Sequence, residues 1–571
     1  MNYHPFDVRK LDERGSQPNV VARRRKPRQG FFLVLVLIVV AVATMAVYSF
    51  TELMLAYDDS AYLAGDLVQA RVNVESATES VRLILAQPPD TRIDFGGVYN
   101  NPQLFQAVNV SGGIDGSLPS NFSILAPDLT EMGTLGGIRF GLQNESARLN
   151  LNALVVLEEN GGGLVSAVAA ASDETADADL QSDNIAVSLL MSLPGMTEDV
   201  AEAILDWIDE DEDVRPFGAE TEYYETLPTP YSAANGPLHS VEELLLVRGV
   251  TPSLLFGADV NRNGVIDPDE QQRFGVSIDT SGSLGWAAYL TVHGSEANRR
   301  RNGDPRVDVN QDDLEALYDE LLDALGDETY ASFIVAFRIA GQSTSLTSAV
   351  AAATGGNTGG NQAQTAQSGG AWSVDLLDQM DLTGGGGTSL TQILDLVDAT
   401  VTVGDGDQAR SYTSPFSSDP ISASVAMPIL MDALSTQDVD AMPGRINLNE
   451  CPAELLYGIP LLSEEAVQAI LETRQAESDD LNRNFESWLM VEGLLTLDEL
   501  RQVTPLLTCG GDVYRGQIVG YFEGSGAAAR VEVIVDATTV NPKIVSWRDL
   551  SHLGRGFDQS VLGLRSVTEQ Q

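Results

Sequence analysis

From Phe31 to Phe50 the chain runs FFLVLVLIVVAVATMAVYSF without one charged side chain. At ~1.5 Å of rise per helical residue, such a run reaches across a hydrocarbon core of ~30 Å. Beyond it, Leu63, Leu67, Ala70, Val74, Ala77, Val81 and Ile84 recur at steps of three and four, placing one apolar seam along a helix. The stretch holds one glycine and no proline before Pro88 and Pro89. Residues 31–87 are therefore expected to form one helix, a membrane span that runs on as a stalk.

After the helix the period changes. Residues 88–165 alternate short apolar runs with turn signals such as Gly96-Gly97 and Gly136-Gly137. Ile138–Leu142 and Arg148–Asn152 read as a strand, a turn and a second strand, so a small antiparallel sheet packed on the helix is expected. Residues 181–275 are instead helical, an insertion in that sheet. An additional segment follows at 276–340, then a Gly/Ser/Thr/Asn/Gln-rich linker at 341–372 and a mixed stretch at 373–440 that fits no class. Helical pattern returns at 441–508, and 509–571 alternates apolar and polar residues as consecutive antiparallel strands do. The fold class is α+β, with one N-terminal helix, an antiparallel sheet and an inserted helical domain.

Three segments repeat one pattern: Arg148-Leu-Asn-Leu-Asn152, Arg306-Val-Asp-Val-Asn310 and Arg445-Ile-Asn-Leu-Asn449. The final asparagine of each is expected to cap a helix. Two helical segments, around Leu193-Pro-Gly-Met196 and Ile459-Pro-Leu-Leu462, resemble helix-hairpin-helix units, which can offer backbone N–H groups to a DNA phosphate. Here Glu198 and Asp199, and Glu464 and Glu465, follow at once, and their carboxylates would repel one.

Charge argues the same way. Acidic residues outnumber basic ones 82 to 33, for a formal charge of −49, a field that opposes nucleic acid and anionic lipid. The exception is Arg23, Arg24, Arg25, Lys26 and Arg28 before the span. Clustered cations beside a membrane helix stay cytoplasmic, so the bulk of the chain is expected outside the cytoplasm. Cys451 and Cys509 are the only cysteines; in an oxidising compartment an even count allows a disulfide, and sequence leaves their pairing open.

The sharpest chemical pattern is Asp259-Val-Asn261-Arg-Asn263-Gly264-Val265-Ile-Asp267-Pro-Asp-Glu270. It fits the twelve-residue calcium loop, with side-chain oxygens from Asp259, Asn261, Asn263, Asp267 and Glu270, the Val265 carbonyl, and glycine at the sharp turn. A structural Ca2+ is expected there. A second candidate is the acidic run Asp209, Asp211, Asp213 with Glu220, which a cation could bridge and which water alone could also solvate. Enzyme chemistry finds no support: His4, His239, His293 and His552 form no metal-protease spacing, and neither a nucleophile elbow nor a phosphate loop occurs.

A basic leader ending in Gly30, then Phe31 and an uncharged helix, resembles the leader and helix of type IV pilins and type II secretion pseudopilins. The resemblance implies cleavage by a prepilin peptidase between Gly30 and Phe31. Most of that superfamily carries Glu at the fifth mature position, where this chain has Leu35. LLMSLPGM, LDWIDEDE, GAETEYYETLPTPYSAANGPLHSVEELLLVRGV and RINLNECPAELLYGIP narrow the likeness further. They resemble the type II secretion minor pseudopilin K family, general secretion pathway protein K. That implies a non-enzymatic subunit with a helical domain inserted in a pseudopilin fold, calcium in some members, and a place at the tip of a pseudopilus with the I and J minor pseudopilins. It also implies a single-pass bacterial inner-membrane protein, cytoplasmic at its N-terminus and otherwise periplasmic. The usual glutamate pairs with a neighbour's amino terminus; a tip subunit has no neighbour above it, and Leu35 fits that position. The chain departs from the family in length. The other readings are a membrane-anchored calcium-binding adhesion protein and, third, a helix-hairpin-helix DNA binder.

Overall fold

The computed structural model describes residues 30–111, 119–157, 183–276, 283–341, 367–404, 408–460, 462–476, 478, 480–522 and 526–563. The basic leader and most of the low-complexity stretch lie outside the described residues. Two units make up the chain, Met1–Gly65 and Asp66–Gln571. Helix α1 spans Gly30–Leu85 and ends just before Pro88 and Pro89, whose rings disfavour helix in the preceding residue. In the first unit its apolar side chains from Phe31 to Phe50 are exposed, and among the described residues it is the one helix long and apolar enough to cross a membrane.

In the second unit α1 lies on an antiparallel sheet. We number its strands β1 (Val108–Ser111), β2 (Ser120–Leu129), β3 (Leu135–Phe140), β4 (Gln143–Asn144), β5 (Val513–Phe522), β6 (Ala528–Asp536) and β7 (Lys543–Asp549). The order is β1-β2-β5-β6-β7, with β3 on the far part of β2 and β4 on the start of β5. Ile518 pairs with Ile124 on one side and Val531 on the other. Alternation therefore sends Ile518, Ala529, Val531, Val533 and Val535 to one face, where they bury Ala70, Val74, Ala77, Val81 and Leu85 of α1. Helix and strand approach so closely at Gly520 that a Cβ there would stand 2.2 Å from the Ala70 carbonyl oxygen. Leu67 of the predicted seam is exposed, because the sheet supplies partners only from Ala70 onward.

The other face of the sheet carries charge. Arg515, Arg530 and Glu532 alternate with the apolar set and are covered by the helical insertion, which runs from the end of β4 to the start of β5 and holds the largest apolar core. Arg148–Asn152 does not continue the β3 hairpin as its alternation suggests. Asn144 accepts the Ser146 N–H at 2.9 Å and caps a short 3-10 turn at Glu145–Ala147. The chain leaves the sheet there, and Leu149–Asn150 pairs in parallel with Leu290–Thr291.

That pairing recurs. Val307–Asp308 pairs in parallel with Leu434–Ser435, and Ile446–Asn447 with Leu507–Thr508. Each repeat thus opens on the Arg-led pattern, passes through helices, and closes with Leu-Thr or Leu-Ser beside its own start. The stretches 276–340 and 373–440 acquire a place in this way. Helices Leu314–Leu325, Glu328–Ala340 and Pro420–Ala433 and a three-stranded sheet fill the second repeat.

The capping expectation needs correction. The third position of each pattern, Asn150, Asp308 or Asn447, accepts the N–H two residues on. Asn310 and Asn449 cap no helix: Asp313 and Pro452 precede the next ones. Their amides reach across the repeat instead. Asn152 Nδ2 donates to the Leu238 and Val292 carbonyls, Asn310 Nδ2 to those of Leu390 and Thr436, and Asn449 Nδ2 to that of Arg483. Buried backbone groups far apart in sequence are satisfied through one side chain.

Candidate metal centres

Asp259 to Glu270 close one loop by hydrogen bonds to its own backbone. The Asp259 carboxylate accepts from the N–H groups of Asn263 and Gly264, at 3.1 and 2.9 Å. Asn261 Oδ1 accepts from Asn263, and Asn263 Oδ1 from Val265. Glu270 accepts from Val260, Asn261 and Asp267, the last as half of a capping box that starts helix Pro268–Phe274. Gly264 takes φ +84°, and a Cβ there would meet Pro127 of β2 at 2.9 Å, so the sharp turn requires glycine twice over.

The amide groups of Asn261 and Asn263 both donate to Asp267 Oδ2, at 2.6 and 3.1 Å. Side chains from five of the six predicted positions therefore share one loop, while Val265 contributes backbone. Burial, offset in part by the Gly264 N–H and reinforced by Glu270, pushes the Asp259 carboxyl up to about 6. A cation placed among these oxygens would relieve that cost, so the donor set fits a hard divalent ion.

The loop is also fastened to the sheet. Arg530 of β6, fully buried, donates to the Asn261 and Arg262 carbonyls at 2.8 and 2.6 Å. Gln517 of β5 donates to the same Arg262 oxygen, and Asn263 Nδ2 donates to the Gly556 carbonyl. Order in the loop is thus coupled to contact between insertion and sheet.

The second acidic group keeps Asp209 and Glu220 of the sequence candidates and takes Asp206 in place of Asp211 and Asp213. Asp206, Asp209 and Glu220 bring ligand oxygens within 4.8 Å of one another, all three buried, and among the described residues they are the only such trio of acidic, His or Cys side chains. Asp211 and Asp213 are exposed; Asp211 accepts the Asp213 N–H within their own turn. Asp206 lies three residues before Asp209 near the end of helix Glu198–Ile208, and i,i+3 positions share a helix face. That spacing was the available signal, and the run of alternating acids obscured it.

Arg215 enters between two of these carboxylates, with Nη1 2.7 Å from Asp206 and 2.5 Å from Asp209. Both Glu220 oxygens and Asp209 Oδ1 are buried without a hydrogen-bond partner. Burial first, then the charges of Asp206 and Asp209, push Glu220 up to about 7. Three carboxylates less one guanidinium leave two negative charges, the complement of one divalent cation. Gly218 makes room for the cluster, since a Cβ there would lie 1.9 Å from Asp206 Oδ2.

Of the remaining sequence candidates, Gly30 and Phe31 stand in the first turn of α1. Cys451 and Cys509 are free thiols rather than a disulfide. Cys451 lies by Arg474, which donates to its carbonyl at 2.6 Å, whereas Cys509 is influenced by Trp488 and Asn449. Burial pushes both thiols up, away from the reactive thiolate form. The two hairpin-like segments pack on each other: a Cβ on Gly458 would meet Ser192 Cβ at 2.5 Å. Trp286 Nε1 donates to the Pro194 carbonyl at 2.9 Å, so the first turn is engaged within the core.

Residues 147–256 match the family described as Type II secretion system (T2SS), protein K. No curated protein matches the chain. Among solved structures it is similar to a chain of the GspK-GspI-GspJ complex from the enterotoxigenic Escherichia coli Type 2 Secretion System. The identity is 13%, with 86% of this chain and 99% of that chain covered at a TM-score of 0.27, a likeness that carries no argument about fold.

Proposed function

We infer that this chain, a type II secretion system protein K family member by its residues 147–256, works as a minor pseudopilin in protein export. The family match carries the reading, because it falls on the insertion that an ordinary pilin-like helix and sheet would lack. The chain acts as a structural, non-enzymatic subunit anchored by α1 in the inner membrane, with the second unit periplasmic. Prepilin peptidase cuts between Gly30 and Phe31, and Leu35 suits a subunit that ends a filament. The GspK-GspI-GspJ complex names I- and J-type minor pseudopilins as the partners to test. Deleting the gene should leave secreted enzymes trapped in the periplasm, and pull-down of the full chain should bring the I and J types with it. Normal secretion in the deletion strain would refute the reading.

The loop at Asp259, Asn261, Asn263, Val265, Asp267 and Glu270 holds a structural Ca2+, and Asp206, Asp209 and Glu220 hold a second. What supports this is the sequence pattern of oxygen-bearing side chains gathered in one hydrogen-bonded loop in the first, and the partnerless buried carboxylate in the second. The ions would screen charges that burial disfavours, and the first would fix the insertion to the sheet through Arg530. At a free concentration a hundred times Kd, each ion adds about 2.7 kcal/mol. Thermal melts with and without chelator should show that loss. Asp259→Ala or Glu270→Ala should remove one part, and Glu220→Gln the other while stabilising the metal-free protein. A wild-type melt indifferent to chelator would eliminate both sites.

A further inference from the structure

Residues from the strand pairs or Arg-led openings of all three repeats, among them Asn150, Arg306, Ser435, Arg445 and Thr508, line one cleft, and the closing hydroxyl of the middle repeat lacks the carboxylate that it meets in the outer two. In the first repeat the Thr291 hydroxyl donates to Glu145, which accepts from Arg515 Nε at 2.6 Å. In the third the Thr508 hydroxyl donates to Glu296 at 2.9 Å, and Glu296 pairs with Arg445 at 2.8 Å. Arg445 pairs with Glu486 as well. The corresponding hydroxyl of the second repeat belongs to Ser435, and it donates to the Gln437 carbonyl instead. Arg306, the counterpart of Arg445, donates from Nε to the Asp432 carbonyl at 3.1 Å. Among the described residues its two terminal nitrogens have no hydrogen-bond partner and make no ion pair.

Arg306 is partly buried and lines a cleft of about 1190 Å³ with Arg299, Arg300 and Arg301. Arg300 and Arg301 face Asp432 and Asp90. The Arg299 guanidinium donates to the Gly303 carbonyl at 3.1 Å and makes no ion pair among the described residues. In a chain with 82 acidic and 33 basic residues, four arginines between 299 and 306 are a local inversion of charge. A guanidinium fork matches the two oxygens of a carboxylate.

We propose that this cleft receives a short acidic segment of a partner protein, with Arg306 and Arg299 taking its carboxylates. The volume exceeds the ~300–1,000 Å³ usual for a small molecule. Leu154, Leu157, Leu394 and Met431 also line it, which suits side chains between the acids. Nucleic acid is disfavoured, since an extended polyanion meets the full negative field of the chain. Glu296, Asp304, Glu450, Glu486 and Asp512 also line the cleft, but Glu296 and Glu486 are paired with Arg445, Glu450 stands by Arg139, Asp304 accepts from Asn302 and Asp512 accepts the Ala297 N–H, which leaves the Arg306 and Arg299 guanidiniums for a few entering carboxylates. The proposal holds whether or not the chain serves in secretion.

The test is fluorescence anisotropy on the full-length protein in neutral detergent, with a short labelled peptide of alternating glutamate and leucine. Saturable binding is expected, weakened roughly tenfold or more by Arg306→Gln and by Arg299→Gln, the scale of one charge-assisted hydrogen bond. It should also weaken in ~0.5 M salt. Arg299, on the cleft lining with one backbone contact, keeps the test valid if Arg306→Gln fails to fold. Equal binding of the glutamine-and-leucine peptide, no binding at all, or indifference to both substitutions would overturn the proposal. Displacement by inorganic phosphate at the peptide's own affinity would also overturn it, and would make the site one for phosphate.

Discussion

Glu145 sits with no exposed surface between the sheet and the insertion. Burial alone would raise its carboxyl, but Arg515 and then Arg148 outweigh burial and hold it at about 2. Because this value lies below the ordinary 4.5, the group stabilises the fold above that pH, and the contribution disappears as pH falls from about 4.5 to about 2. Arg515→Met should cost about 3–5 kcal/mol near neutrality by leaving the charge buried and unpaired. Adding Glu145→Gln should recover part of that loss and remove the acid dependence, both measurable by urea denaturation across pH. At Gly520 any side chain meets the Ala70 carbonyl, and Gly520→Val should cost about 1–3 kcal/mol as an overpacked contact. The oxygen-rich loop from Asp259 to Glu270 stands out in the sequence because ligand chemistry fixes residue type at each spacing, and its side chains do gather in one hydrogen-bonded turn. Of the second acidic group Asp209 and Glu220 were legible and Asp206 was not: its i,i+3 spacing to Asp209 is hidden by the run of alternating acids, and the turn through Arg215 and Gly218 that closes the group has no local signature.

At the scale of elements, α1 gives the clearest case. Its seam was readable from period between Ala70 and Val81, while Leu63 and Leu67 before it are exposed and Leu85 rather than Ile84 is the buried residue at its end; Leu85 and Leu83 there separate burial from composition. Leu85 is 1% exposed and Leu83 69%. Leu85→Ala should cost about 2–5 kcal/mol, whereas Leu83→Ala should stay within about 0.5 kcal/mol, a contrast that chemical denaturation can read directly. The three Arg-led openings were equally visible. Their closing partners, Leu290–Thr291, Leu434–Ser435 and Leu507–Thr508, were not, since two residues of strand carry no periodicity and their pairing is decided by contacts more than sixty residues away. For the same reason residues 373–440 resisted classification until the second repeat closed around them. The helix-capping role assigned to Asn310 and Asn449 was a local rule overridden by a long-range one, the need of distant carbonyls for a donor.

At the scale of the molecule, one sheet face packs on α1 by apolar alternation and the other meets the insertion through Arg515, Arg530 and Glu532. Sequence conveyed the first arrangement and the fact of an insertion. It could not convey how the insertion is attached, because charged strand positions look alike whether water or a second layer faces them. The attachment runs through the loop from Asp259 to Glu270 and the buried ion pairs, so the helical domain and the sheet are held together by named polar contacts. We infer that the protein is a subunit of a secretion pseudopilus. The most direct test is the amino-terminal sequence and mass of the mature protein extracted from membranes. A start at Phe31 is predicted, and an intact leader would contradict the account.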